Sequence, residues 1–143
     1  ARVQCEVGTL VSLGPAKYGE RRYVPLRGGT VEGPELNGQI VEGGVDWQVN
    51  RADGVLDIAA HYVIRTPDGA LIEGQSDAMR HGPPEVMARL ARGEPVARDE
   101  YFFRTVVRFT TGAPAWTHLN KVMALAGGQR EASRVLLDFY RIA

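Results

Sequence analysis

What most limits the folds open to this chain is a period of two. Short runs rich in Val, Ile, Leu, Tyr, Phe and Thr recur from end to end, each cut off by Gly, Pro, Asn or Asp, while helical spacing of apolar residues is nearly absent. Side chains on a strand alternate between its two faces, so such runs suit strands that bury one face. The pattern predicts strands over Val3–Val11, Arg22–Leu26, Gly38–Val41, Asp46–Val49, Val55–Arg65, Ala70–Asp77, Tyr101–Thr110, Leu119–Leu125 and Ser133–Ile142. In "RTPDGAL", Pro67, Asp68 and Gly69 supply turn chemistry between two runs, which should therefore pair as a hairpin. One segment breaks the pattern. "HGPPEVMARLARGEP" opens with prolines, carries Glu85 in its first turn, spaces Val86, Met87 and Leu90 helically, and reaches a stop at Gly93. A helix of two or three turns is expected there, and a second short turn around "PAWTHL".

Eight or nine strands in 143 residues must hide their edges, because an open edge recruits other chains. The fold class expected is all-β: one antiparallel β-barrel with a short helix, residues 1–143 forming a single domain. Seventeen glycines favour a barrel over a sandwich slightly, since strand coiling demands bends and bulges.

Composition excludes several functions. Seventeen Lys plus Arg balance seventeen Asp plus Glu, so no global field draws in a phosphate backbone, and nucleic acid is not an expected partner. No run approaches the eighteen apolar residues of a membrane helix, so no membrane partner is expected either. Cys5 stands alone, which rules out an intrachain disulfide and fits a cytoplasmic setting. His61, His81 and His118 lack paired ligand spacing, so no metal is called for. The pairs Gly28-Gly29, Gly43-Gly44 and Gly127-Gly128 lack phosphate-loop spacing and read as turns or bulges. Nothing points to a cofactor, and no G-x-S-x-G elbow is present.

The candidate site comes from polar residues carried by strands, since any polar group facing a core must be satisfied or neutralised. "EGGVDWQ" puts Asp46 and Gln48 on one face of a strand and Trp47 on the other. In "DIAAHYVIRT", Ile58, Ala60, Tyr62 and Ile64 make the better packing face, opposite His61 and Arg65; in "YFFRTVVRF", Tyr101 and Phe103 lie opposite Arg104 and Arg108. If the polar faces enter the barrel, Asp46, Gln48, His61, Arg65 and Arg104 surround a small molecule; if they face solvent, they are ordinary surface groups. Arg80 and His81 end a strand just before the helix, at the kind of rim where ligands enter barrels.

The runs "RRYVPLRGGTVEGPELNGQIVEGGVDWQ", "YVIRTPDGALI", "RHGPPEVMARLARGEPV", "YFFRTVVRFTTGAPAWTHLN" and "LLDFYRI" together resemble the bacterial domain-of-unknown-function 3237 family, also called UPF0311, through almost the whole chain. That resemblance implies a small β-barrel and supplies no agreed catalytic residues. The chain departs from the family pattern at His61, where an arginine is expected, and at Thr110, where a glutamate is expected.

Three functions compete. The first is a cofactor-independent lyase or isomerase acting on a small aromatic or otherwise apolar organic molecule. In it Asp46 is the general base, His81 or Tyr101 the proton donor, and Arg104 a catalytic oxyanion partner helped by Arg65, Gln48 or Asn120. Trp47 or Trp116 would stack on the substrate, and His61 would contact it. The second is a metabolite-binding barrel without chemistry. The third is a structural role in which Trp116 or Phe102 forms the interface of a homo-oligomer. An enclosed cavity containing Asp46 separates the first two from the third.

Overall fold

The computed structural model describes all 143 residues. Ten strands form one antiparallel sheet: β1 (Arg2–Val7), β2 (Val11–Ala16), β3 (Gly19–Glu32), β4 (Gly38–Ile40), β5 (Val45–Asn50), β6 (Leu56–Arg65), β7 (Leu71–His81), β8 (Phe102–Thr110), β9 (Met123–Arg130) and β10 (Arg134–Arg141). Neighbours run β1-β10-β9-β8-β7-β6-β5-β3, and β1 pairs back onto β3, which closes an eight-stranded barrel. β2 and β4 are additions to it. Closure pairs both edges of the barrel strands, as the strand count required, while β2, bonded only to β3, keeps one free edge.

The hairpin expected at "RTPDGAL" is the longest pairing in the barrel, running from Arg65 opposite Leu71 to Leu56 opposite Arg80. Gly69 takes φ +85°, and the Thr66 N–H donates to the Ala70 carbonyl at 2.9 Å, which ties the turn. The helix, α1 (Pro84–Ala91), lies where its signals put it, with Pro84 in the first turn and Gly93 at φ +75° beyond its end. Its buried Val86 and Leu90 pack with Leu56, Ile58, Val96, Tyr101 and Phe103, so α1 roofs one end of the barrel. Full burial of two such side chains contributes roughly 1.5–3 kcal/mol each.

Four boundaries differ from the sequence expectation, the simplest being β7, which runs past Asp77 to His81. The first run splits, because β2 is a separate strand of exposed and half-exposed residues that hairpins onto an extension of β3. β3 continues through Gly28-Gly29, which pair with Glu6 and Cys5; just before them Arg27 is a surplus residue, a bulge where the pairing with β1 slips between Glu6 and Val7 and Gly28 takes φ +132°. Leu119 belongs to a 3₁₀ stretch, Pro114–Lys121, and β9 begins only at Met123. Gly127 and Gly128 lie within β9, not in a turn. A Cβ on Gly128 would come within 2.7 Å of the Phe103 ring, and one on Gly74 within 2.2 Å of the Tyr62 ring, so each glycine makes room for an inward aromatic on the neighbouring strand.

β4 and β5 share one slot between β3 and β6. Ile40 pairs with Ile64 and Val45 with His61, so five steps along this segment oppose three along β6, and the surplus loops out at Gly43, where φ is +117°. The interior divides in two. Val31, Ile64, Ile72 and Val107, each at most 1% exposed, pack with Phe109, Leu119 and Phe139 and plug one end. Toward the end beneath α1 the packing opens into a cavity.

Candidate functional site

The inward positions of single strands change character along their length. On β7 they read Ile72, Gly74, Ser76, Ala78, Arg80; on β9, Ala124, Ala126, Gly128, Arg130; on β3, Leu26, Val24, Arg22. All three rows run from apolar groups at or near the plug to an arginine near α1. β5 adds Asp46 and Gln48 to the same interior. The cavity these rows enclose has a volume of about 810 Å³, within the range of small-molecule sites. Its deeper wall is apolar and hydroxylic, with Val3, Cys5, Ile40, Tyr62 and Ser76; its mouth lies between α1, His81 and the turn at residues 53–55.

Asp46 is the one carboxylate inside. Gln48, 4% exposed, donates from Nε2 to Asp46 Oδ2 at 2.9 Å, and its Oε1 accepts from Arg22 Nε at 2.8 Å. Asp46 Oδ1 is buried and has no hydrogen-bond partner. Burial pushes the Asp46 carboxyl up to about 6, against the opposing pull of Gln48 and of Arg80, Arg130 and Arg22. None of these arginines forms an ion pair with it. Arg80 is 9% exposed, lies 5.5 Å over the Phe103 ring, and leaves its buried Nε unpartnered. Burial, followed by repulsion from Arg130, lowers Arg80 to about 10; burial also lowers Arg22 and Arg130. Deeper still, Tyr62 Oη and Ser76 Oγ share a hydrogen bond of 2.9 Å, and desolvation raises Tyr62 to about 12 and Cys5 to about 11.

Of the residues the sequence singled out, Asp46, Gln48, Arg80 and His81 line the cavity; His81 sits at its mouth, stacked on Phe102 at 4.8 Å. Tyr101 is buried next to it, but its hydroxyl accepts the Arg130 backbone N–H at 2.9 Å and it does not line the wall. The others lie elsewhere. Arg104 points outward, its guanidinium 5.6 Å from the Phe102 ring and donating to the Phe103 carbonyl at 2.9 Å. His61 and Arg65 are exposed on the outer face of β6, because Tyr62 and Ile64 take the interior; the departure at His61 therefore leaves the cavity unchanged. Trp47 also faces outward, beside Tyr23 at 5.0 Å and beneath Arg21 at 4.8 Å. Trp116 packs at the plugged end and donates from Nε1 to Asp68 at 3.3 Å. Asn120 bonds the Thr111 N–H and carbonyl at 2.8 and 2.9 Å, which makes it a loop clasp. No three His, Cys, Asp or Glu side chains converge as metal ligands would, and no helix is long and apolar enough to cross a membrane.

Two arginines of the cavity, Arg22 and Arg130, are not among the sequence candidates; the third, Arg80, is named there only as a rim residue beside His81. The signal was present: Arg22, Arg80 and Arg130 each lie in phase with a run of small or apolar residues, two steps beyond its last member.

Comparison with known proteins agrees with the barrel. A family model described as "Protein of unknown function (DUF3237)" matches residues 1–142. A UPF0311 protein of Rhodopseudomonas palustris is 34% identical over 140 residues, 98% of this chain and 92% of the relative. A crystal structure of a protein of unknown function from R. palustris superposes with TM-score 0.93 at 33% identity, covering 99% and 93% of the two chains. A β-barrel-like protein from Acinetobacter baumannii superposes with TM-score 0.85 at 34% identity over 99% and 92%. A protein described as an enzyme from Penicillium herquei shares the fold at 19% identity, with TM-score 0.69 over 98% and 91%.

Proposed function

The chain belongs to the DUF3237 (UPF0311) family, and from that premise we propose that its barrel cavity is the active site of a cofactor-independent lyase or isomerase acting on a small organic molecule. One observation carries the reading: Asp46 presents an unpartnered, buried carboxylate oxygen to a cavity whose other charged groups inside the rim are arginines. A carboxyl near 6 is ionised at neutral pH yet basic enough to take a proton from carbon or a hydroxyl, as a general base should be.

The step the geometry suits is abstraction of a proton alpha to a carbonyl. Asp46 Oδ1 receives the proton, the C–H electron pair moves into the carbon skeleton, and negative charge collects on the carbonyl oxygen. The unpartnered Arg80 donor, in a water-poor wall, stabilises that oxyanion. Return of the proton to a different atom completes an isomerisation; departure of a leaving group from the beta carbon completes an elimination. Gln48, anchored by Arg22, fixes the carboxylate plane by holding Oδ2 and leaving Oδ1 free. His81 at the mouth can exchange the proton with solvent. The Penicillium herquei protein, described as an enzyme, supports this reading at the level of the fold alone.

Deuterium exchange into 2-tetralone and phenylpyruvate in D₂O, followed by proton NMR, tests it. Wild type should accelerate exchange, and Asp46→Asn should lose at least ~100-fold of that acceleration with its circular dichroism unchanged. Equal exchange by the variant would remove Asp46 from the chemistry. Ligands bound by wild type and returned without exchange would make the cavity a metabolite-binding site instead.

A further inference from the structure

We infer that the molecule this cavity takes is a small, mainly apolar carboxylic acid, held as its anion by Arg80 together with Arg130 and Arg22. The inference shares with the catalytic reading its cavity and Arg80, whose fork of donors can hold a carboxylate beside the reacting carbonyl, and rests on it in nothing else. It starts from a charge imbalance: three guanidinium groups and one carboxylate line the interior. Asp53, the other acid on the lining, belongs to the rim, where Arg51 holds it. Arg80 and Arg130 form no ion pair at all, and Arg22 has only Glu20, at 3.8 Å and outside the cavity lining.

Burying unpaired cations is costly unless something pairs with them. Arg80 is nine-tenths buried, and its Nε, already out of water, has no partner. A guanidinium is a planar fork of donors that matches the two oxygens of a carboxylate, which makes a single planar anion the best complement. A wholly polar acid would fit poorly, because the space below the arginines is walled by Val3, Val24, Leu26, Ile40, Ile58 and Leu137. The ligand thus has an acid head near the arginine level and an apolar body toward the plug. Tyr62 and Ser76, hydrogen-bonded to each other on the deep wall, are placed to meet one polar substituent at the far end.

Isothermal titration with 2-naphthoate and hexanoate, each beside its primary amide, separates charge from shape. Wild type should bind at least one acid about tenfold or more tightly than its amide at low ionic strength, in line with the strength of charge-assisted over neutral hydrogen bonds. Arg80→Gln should bring that ratio close to one, and Arg130→Gln should lower it. Asp46→Asn should tighten the acids relative to their amides, by removing a like charge. Equal binding of acid and amide to wild type, binding of neither pair, or a preference that survives Arg80→Gln would each overturn the inference. The comparison of acid with amide needs no variant, so a misfolded Arg80→Gln cannot rescue it. Loss of the acid preference with Asp46-dependent exchange intact would sink this inference alone; an intact preference with exchange indifferent to Asp46 would sink the catalytic reading alone.

Discussion

The two ends of the barrel are built from the same strands and obey opposite rules. At the plugged end Ile64, Ile72, Val31 and Val107 leave almost no exposed surface, and every inward position is spent on packing. At the end beneath α1, the same inward row of β7 finishes on Arg80 and that of β9 on Arg130, and the space between them is left open. Stability is concentrated where it costs no chemistry. The other end carries buried charge that a stability optimum would not keep, which is the usual signature of a site.

Cutting into the plug should produce the largest effect. Ile64→Ala or Ile72→Ala should cost about 2–5 kcal/mol in guanidinium unfolding, while the ratio of acid to amide binding at the other end stays close to that of wild type. Collapse of that ratio in a variant that is still folded would show the two ends to be coupled.

Relieving the open end should do the reverse. Asp46→Asn is expected to raise stability at pH 7 by about 2–3 kcal/mol, because two pH units of upward shift are a penalty on the folded state. A variant less stable than wild type at pH 7 would mean that Asp46 is structural. The pH dependence follows from the same shift. With a folded value near 6 and an unfolded one near 3.8, the folded chain holds a proton between those values that the unfolded chain has lost, so this group's contribution falls as pH rises from about 4 to about 6 and is level above. The stability gap between Asp46→Asn and wild type should therefore be near zero below pH 4 and open through that window, and catalysed exchange should rise with pH across the region of 6. A gap that does not change with pH would refute the shifted carboxyl.

The outer wall gives the smallest effect. Arg65→Gln and Arg104→Gln should change stability by less than about 0.5 kcal/mol and ligand binding not at all, since both side chains are exposed. Any loss of ligand binding in Arg104→Gln would return that residue to the site.

Much of this was legible in the residues, and the losses have physical causes. Period two and turn chemistry delivered the barrel, the β6–β7 hairpin and α1. They missed β2, whose "VSLGPA" buries no side chain and so carries no alternation, and they cut β3 short because a glycine pair inside a strand reads like one in a turn. Asp46 and Gln48 could be found because an acid and an amide two apart on a strand are conspicuous. Arg80 could be placed at the rim by its position just before α1, but Arg22 and Arg130 could not be found, because an arginine at a strand end looks solvated until closure brings the ends of β3, β7 and β9 to one space. His61 and Arg65 misled for the converse reason: a polar strand face suggests a polar interior, yet in this barrel the apolar face of β6 turns inward and the polar one meets water.

The loop-out between β4 and β5 gives "EGGVDWQ" a further significance. Its surplus over β6 is two residues, an even number, and strand facing has a parity of two. Losing both glycines would shorten the detour and keep Asp46 inside. Losing one would leave an odd surplus, which keeps Asp46 inside where it is taken up as a one-residue bulge like that at Arg27 in β3, and otherwise turns Trp47 inward and the carboxylate out. The location of the only interior acid is thus tied to how a short run of backbone disposes of its surplus residues.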